Sequence, residues 1–406
     1  MLAGREIVLG VTGSIAAYKA AHLLRDLRRL GAGVTVVMTR SAREFVAPLT
    51  FRTLSGRPVL SDLFDPQEPA AVEHVALAER ADLVLVAPAT ANTLARAALG
   101  LADDFLGTLL LAARAPVLFA PAMDGEMWHH PTVQAHVAAL RARGATVMEP
   151  GRGELASGLS GVGRLPEIVD IVETAAALVW PTRDLGGDQI LVTAGPTREP
   201  VDPVRYLSNR SSGRMGYALA TLAWRRGAQV TLVTGPTGLT APPGVRVIPV
   251  QTAEEMRDAV LHALGPATVV IKAAAVADYR VAAPAAAKIR SKQEGLSLAL
   301  APNPDILREL GRAKGHRFLV GFAAETGDPR ASARAKLEAK GADLMVANDV
   351  SRPDIGFETE ENQVVLLDRW GGVVELPRRP KLEIADAILD RVQALRRAAA
   401  TASAST

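Results

Sequence analysis

Short apolar runs alternate with stretches that turn apolar every third or fourth residue, along almost the whole of this 406-residue chain. The runs predict strands at residues 6–11, 34–38, 83–87, 117–120 and 146–148, and the longer period predicts helices at 16–30, 132–143 and 167–179. The pattern then repeats: strands at 190–193, 229–233, 268–273, 318–322 and 344–347, helices at 217–226, 253–264, 305–313 and 329–340. A hairpin at 363–368 and 372–376 precedes a last helix, 381–397, and the alanine/serine tail 398–406 reads as disordered. Uninterrupted apolar strands alternating with helices imply parallel sheets covered on both faces. The chain therefore reads as two tandem doubly wound, mainly parallel-sheet α/β domains, 1–180 and 189–397, joined by a polar, breaker-rich linker at 181–188.

In such sheets ligands sit at the carboxyl ends of the strands, so the residues there are the candidates. The first strand ends in Gly13-Ser14-Ile15, which is either a phosphate seat at a helix N-terminus or an ordinary β–α turn with Ser14 as N-cap. The turn does not match GxGxxG, and no Walker A pattern occurs, which argues against NAD and P-loop chemistry and leaves a mononucleotide. Thr90 and Asn92 follow the third strand and Asp124 the fourth; the small, hydroxyl and amide groups at these ends could line a flat ring, and Thr90 or Asn92 could instead cap the next helix. His74 stands alone beside a polar segment. In the second half, Arg205, Asn209, Ser211 and Ser212 follow one strand, Lys272 and Asp278 flank the end of another, and Asn303-Pro304-Asp305 predicts a helix start with Asn303 as N-cap and Pro304 at N1.

Composition narrows the chemistry. Lys and Arg number 46 against 43 Asp and Glu, and only 4% of residues are aromatic, a balance that suits small anions better than nucleic acid. There is no cysteine, which removes disulfides, thiolate metal sites and a cysteine nucleophile. No apolar run has the length of a membrane helix and no signal-peptide pattern is seen, so a cytoplasmic location is expected.

GVTGSIAAYKA, LVAPATANTLARAALGLADDFLGT, a histidine near a polar segment, and PAM followed by ELASGLSGVGRLPE together resemble the flavin-containing cysteine decarboxylases. The resemblance implies a flavodoxin-like, homo-oligomeric fold that binds FMN at Gly13, Ser14, Ile15, Thr39, Thr90 and Asn92, with His74 at the active site near a subunit boundary. Two positions depart from that family: Asp124 stands where it usually has asparagine, and Ser157 where it has an acidic cysteine. An ionised aspartate only accepts hydrogen bonds and repels a substrate carboxylate unless it is protonated or paired with a cation. A serine hydroxyl is a far weaker acid than a thiol, so Ser157 or a water is expected as proton donor.

TAGPTREPVDPVRYLSNRSSGRMG, AAAVADYR, AKIRSK, NPDIL, GFAAET and AND resemble, in order and spacing, the CTP-using phosphopantothenate–cysteine ligases. That resemblance implies a Rossmann-like domain in which Lys288 neutralises charge during cytidylyl transfer, Mg2+ bridges phosphate oxygens, and Arg205 and Asn209 hold the acyl-cytidylate. CTP contacts are expected at Lys272, Ala273, Ala274, Asp278, Lys288, Pro304, Asp305, Ile306, Leu307, Phe322, Lys336 and Lys340, with the Mg2+ ligands unassigned. The fusion resembles the bifunctional enzymes of bacterial coenzyme A biosynthesis, which take 4′-phosphopantothenate, cysteine and CTP as substrates. It implies an oligomer, up to a dodecamer, of decarboxylase trimers and ligase dimers. Two alternatives stay open at this point: a ligase whose flavin domain is only an oligomerisation scaffold, and a non-catalytic flavin-binding regulatory or electron-transfer protein.

Overall fold

A computed structural model describes all residues except 1, 64–72, 156, 157, 159, 291–295, 350, 352–358 and 405–406. The chain divides into two compact units, Met1–Pro181 and Thr182–Thr406.

The first unit is built on strands β1 (Glu6–Val11), β2 (Gly33–Met38), β3 (Val59–Leu60), β4 (Leu83–Ala89), β5 (Val117–Pro121) and β6 (Thr146–Val147). They form one parallel sheet in the order β3-β2-β1-β4-β5-β6. Every residue of β4 is buried, as a strand between two helical layers must be. On one face the helix Ala17–Arg29 supplies Ala17, Ala20, Leu23, Leu24 and Leu27, a stripe at helical spacing that seals against Ile7, Leu9 and Val11. On the other face Leu94, Leu106, Leu109, Val137 and Leu140 pack against Val8, Val84 and Val86. A short antiparallel hairpin, β7 (Gly151–Glu154) and β8 (Ser160–Arg164), follows the sheet. The order reverses direction between β1 and β4, so a crevice opens outside their carboxyl ends.

The second unit repeats the plan with β9 (Gln189–Ala194), β10 (Arg198–Pro200), β11 (Tyr206–Ser208), β12 (Gln229–Thr234), β13 (Arg246–Pro249), β14 (Val269–Lys272), β15 (Tyr279–Val281), β16 (Leu300–Pro302), β17 (Phe318–Glu325), β18 (Leu344–Asp349), β19 (Glu361–Asp368) and β20 (Val373–Pro380). Its main sheet runs β13-β12-β9-β14-β17-β18-β19-β20, parallel up to β18 and antiparallel beyond. The reversal here lies between β9 and β14. Two small ladders, β10 with β11 and β15 with β16, grow out of the loops after those two strands.

The structure overturns expectations at the linker, the tail and the Asn303 turn. Residues of the expected linker belong to the second unit: Leu185 is fully buried, its amide donates to the Arg226 carbonyl at 3.1 Å, and Asp184 pairs with the buried Arg226 guanidinium at 2.7 Å. The last helix does not end near Arg397 with a disordered tail but continues to Ala404, because alanine keeps helix propensity high where no breaker intervenes. Asn303 is not a helix cap. Its amide donates to the Asp278 carbonyl at 2.8 Å and its side chain to the Ala277 carbonyl at 2.9 Å, while Asp305 caps the helix Ile306–Ala313 by accepting from the Arg308 amide at 3.1 Å.

Candidate active sites

In the first unit the crevice is a cavity of about 680 Å³ lined by Gly13, Ser14, Thr39, Thr90, Asn92 and Met123, among others. Thr12 ties its floor together: the hydroxyl donates to the Pro88 carbonyl at 2.7 Å and accepts from the Thr90 amide at 3.2 Å, joining the ends of β1 and β4. Gly13 lies so close to the loop after β2 that a Cβ there would come within 2.4 Å of the Ser41 Cβ. Ser14 is not an N-cap, since the helix begins at Ala17 with Ala16 in the cap position and no side-chain cap bond; its hydroxyl accepts from the Ala16 amide at 3.3 Å. Thr90 does cap the helix Ala91–Leu99, accepting from the Thr93 amide at 3.3 Å, and still faces the cavity. Asn92 is exposed at the mouth.

The Thr39 hydroxyl is buried against this cavity without a hydrogen-bond partner among the described residues. A buried hydroxyl left so costs roughly 1–3 kcal/mol, and a polar ligand in the cavity relieves that cost. Volume, small residues at the strand ends and an orphaned hydroxyl fit a mononucleotide with a flat ring, FMN included.

A second cavity of about 540 Å³ adjoins it, lined by Ser14, Ile15, Lys19, Met123, Asp124, Glu154 and Arg164. Asp124 begins the helix Gly125–His129 as its cap, accepting from the Glu126 amide at 3.1 Å. His74 lines neither cavity. It sits on the helix Glu73–Arg80 and meets the Phe105 ring edge-on at 6.2 Å. Ser157 lies outside the described residues.

In the second unit a cavity of about 250 Å³ occupies the reversal point, lined by Asn209, Ser211, Ser212, Lys272, Ala273, Ala274, Asp278, Phe322 and Lys336 from the sequence reading. The Asn209 amide reaches the Ala275 and Val276 carbonyls at 3.3 and 3.0 Å. Lys272 ends β14, donates to the Ala274 carbonyl at 2.9 Å, and is pushed down to about 8 by burial, against the pull of Asp305 and Asp278. Lys336 pairs with Glu325 at 2.5 Å, and Lys340, one helical turn on, pairs with Asp305. Burial opposes ionisation of Asp305, yet that partner and the Arg308 amide hold its carboxyl below the usual carboxylate range.

Arg205, Lys288, Pro304, Asp305, Ile306, Leu307 and Lys340 do not line this cavity. Arg205 and the Lys288 loop are nevertheless joined through Asp202, which accepts from Arg205 Nη1 at 3.1 Å and from the Ile289 amide at 3.2 Å. Burial works against the Asp202 charge, but the amides of Val204, Ile289 and Arg205 keep its carboxyl low. Lys288 itself is exposed.

Sequence reasoning missed four further lining residues. Arg214, Asn348, Asn362 and Lys381 also line the cavity, and Lys381 is buried and pushed down to about 8, chiefly by desolvation and then by Arg214. Asn348 lay within the quoted AND segment, but Asn362 and Lys381 arrive through the antiparallel extension, whose position beside β18 no local pattern announced. Among the described residues, no cluster of three or more His, Cys, Asp or Glu could hold a metal ion, and no helix is long and apolar enough to cross a membrane.

Residues 1–180 match the flavoprotein family model, and residues 185–395 match that of the DNA/pantothenate metabolism flavoprotein C-terminal domain. The chain is 46% identical over 398 residues to the coenzyme A biosynthesis bifunctional protein CoaBC of Bacillus subtilis, covering 97% of this chain and 98% of the relative. It is 48% identical over 404 residues to the Mycobacterium tuberculosis protein of that name, covering 96% of both, and 45% identical over 395 residues to that of Escherichia coli, covering 96% and 97%. With both family models matched in order and similarity running through nearly every residue, the chain belongs to the family of bifunctional coenzyme A biosynthesis proteins.

Proposed function

We propose that the second unit joins 4′-phosphopantothenate to cysteine with consumption of CTP, and that the first unit decarboxylates the resulting 4′-phosphopantothenoylcysteine to 4′-phosphopantetheine with FMN. Coenzyme A biosynthesis with a ligase and a decarboxylase role comes with the family. The nucleotide, the flavin's identity and the residue roles are our reading. The observation that carries it is the presence of a reversal-point cavity in each unit, one with a buried Thr39 hydroxyl unpartnered among the described residues and the other lined by Lys272, Lys336 and Lys381.

In the ligase half, the substrate carboxylate attacks the α-phosphate of CTP, pyrophosphate leaves, and cysteine's amine then displaces CMP from the acyl-cytidylate. Lys272 and Lys336 in the cavity, and Lys288 on the neighbouring loop, supply positive charge where it develops on the phosphates. Mg2+, when bound with the nucleotide, would add positive charge that offsets the triphosphate's negative charge. Asn209, fixed by its bonds to the Ala275 and Val276 carbonyls, orients the acyl-cytidylate through its side-chain oxygen, and Arg205, held by Asp202, adds positive charge from the same segment. Asp278 and Phe322 border the nucleotide, and Pro304 to Leu307 with Lys340 buttress it from the adjoining helix start.

In the decarboxylase half, Gly13, Ser14 and Ile15 take the FMN phosphate and Thr39, Thr90 and Asn92 the remainder. When bound, the flavin supplies oxidation of the substrate thiol and the later return of hydride. Ser157 or a water delivers the final proton, and His74 reaches the substrate across a subunit boundary in a homo-oligomer. In this reading the protein works in the cytoplasm, where its small anionic substrates would be met.

The test is to supply purified protein with 4′-phosphopantothenate, cysteine and Mg2+, with CTP or ATP in parallel. CMP release matched by phosphopantothenoylcysteine formation supports the reading. Equal use of ATP, or no condensation, overturns the CTP assignment.

A further inference from the structure

We propose that Arg164 is the residue that receives the substrate carboxylate in the decarboxylase cavity and offsets the charge of the acceptor-only Asp124 that lines the same cavity. This rests on the decarboxylation reading above. The cavity of about 540 Å³ contains two acids, Asp124 and Glu154, and two bases, Lys19 and Arg164. A cysteinyl carboxylate entering it needs donors, and Asp124 offers none when ionised. Glu154 is exposed at the hairpin, whereas Asp124 is fixed as a helix cap inside the lining.

Arg164 is the base whose position the backbone dictates. It ends β8, opposite Gly151, next to the register shift between Gly151 and Arg152, a bulge of the kind that re-aims side chains. Its guanidinium lies across Gly153, where a Cβ would come within 2.7 Å of Nη1 and 3.1 Å of Cδ. The hairpin is in turn pinned to the Asp124 loop. The Met123 amide donates to the Gly163 carbonyl at 2.9 Å, a Cβ on Gly163 would sit 2.2 Å from the Met123 carbonyl oxygen, and one on Gly125 would sit 2.8 Å from that of Val162. The residue before Arg164 and the residues flanking Asp124 are therefore in van der Waals contact through backbone alone, and Arg164 and Asp124 line the same cavity. Arg's planar fork suits a carboxylate in a way that Lys19, on a flexible stem in the first turn of its helix, does not.

The experiment compares two ligands that differ by the carboxylate. Binding of 4′-phosphopantothenoylcysteine and of 4′-phosphopantetheine to the FMN-loaded full chain is measured by calorimetry, for wild type, Arg164→Ala, Arg164→Lys and Arg164→Ala with Asp124→Asn. Flavin retained by each preparation through gel filtration reports folding of the first unit. Arg164→Ala is expected to weaken the carboxylate-bearing ligand about tenfold while changing the other less than about twofold; Arg164→Lys recovers part, and Asp124→Asn recovers most of the loss. Equal weakening of both ligands, no weakening, or no rescue by Asp124→Asn overturns the proposal. Wild-type protein that binds the substrate yet releases no CO2 would overturn the decarboxylation reading and leave the comparison of the two ligands to decide Arg164.

Discussion

The side-chain amide of Asn209 donates to the main-chain carbonyl of Val276 at 3.0 Å, tying the loop that follows β11 to the end of β14 across the ligase cavity. An aspartate of the same shape presents oxygen where that bond needs a donor. Asn209→Asp is predicted to reduce ligase turnover by roughly 30-fold, the value of about 2 kcal/mol for a lost polar bond with a repelled carbonyl. The fold should remain intact by circular dichroism, and turnover within twofold of wild type would contradict the role.

Lys272 carries a pH signature. Its folded value of about 8 lies below that of an exposed lysine, 10.5, because burial disfavours the charge. Between those values the unfolded chain binds the extra proton, so this residue's contribution makes stability rise with pH from about 8 to 10.5, and its penalty is fully present below 8. A triphosphate reverses the balance by favouring the ammonium. CTP binding near pH 8 is predicted to take up protons, measured calorimetrically in buffers of different ionisation enthalpy. Lys272→Met should lower that uptake, with Lys381, also near 8, accounting for a remainder.

Thr39→Val separates folding from cofactor binding. The hydroxyl has no partner among the described residues, so its removal leaves the stability of the flavin-free chain unchanged or raised. Flavin affinity should fall about five- to tenfold, read as flavin retained through gel filtration. An equal loss of stability in flavin-free protein would show that the hydroxyl serves the fold instead.

Gly13→Ala tests the close approach at the same site. The added methyl meets Ser41 at 2.4 Å, a distance that forces one of two loops to move. Flavin content is predicted to drop severely, while ligase turnover, carried by the other unit, stays near wild type.

Much of this was legible in the chain. The parallel strands announce themselves because burial on both faces demands unbroken apolar runs, as in Leu83–Ala89, and the strand-end position of Gly13, Thr90, Asn209 and Lys272 then follows from topology. Short elements held by tertiary contact escaped: Val59–Leu60 is two residues long, and the hairpin carrying Arg164 is glycine-rich and lacks an apolar period. The cap at Asp305 was misread because Asn303 has the composition of an N-cap, while its hydrogen bonds go instead to residues 277 and 278, far away in sequence. Lys381 could not be read as a site residue, since an ordinary helix-opening lysine becomes one only when β19 and β20 fold back beside β18.

The central claim is that one chain performs both reactions in sequence, with Asp124 and Ser157 in place. Mass spectrometry of products from purified protein given 4′-phosphopantothenate, cysteine, CTP, Mg2+ and FMN tests it most directly. The account predicts 4′-phosphopantetheine, with phosphopantothenoylcysteine only as a transient. Phosphopantothenoylcysteine that accumulates without loss of CO2 would contradict it and leave a ligase joined to a flavin-binding scaffold.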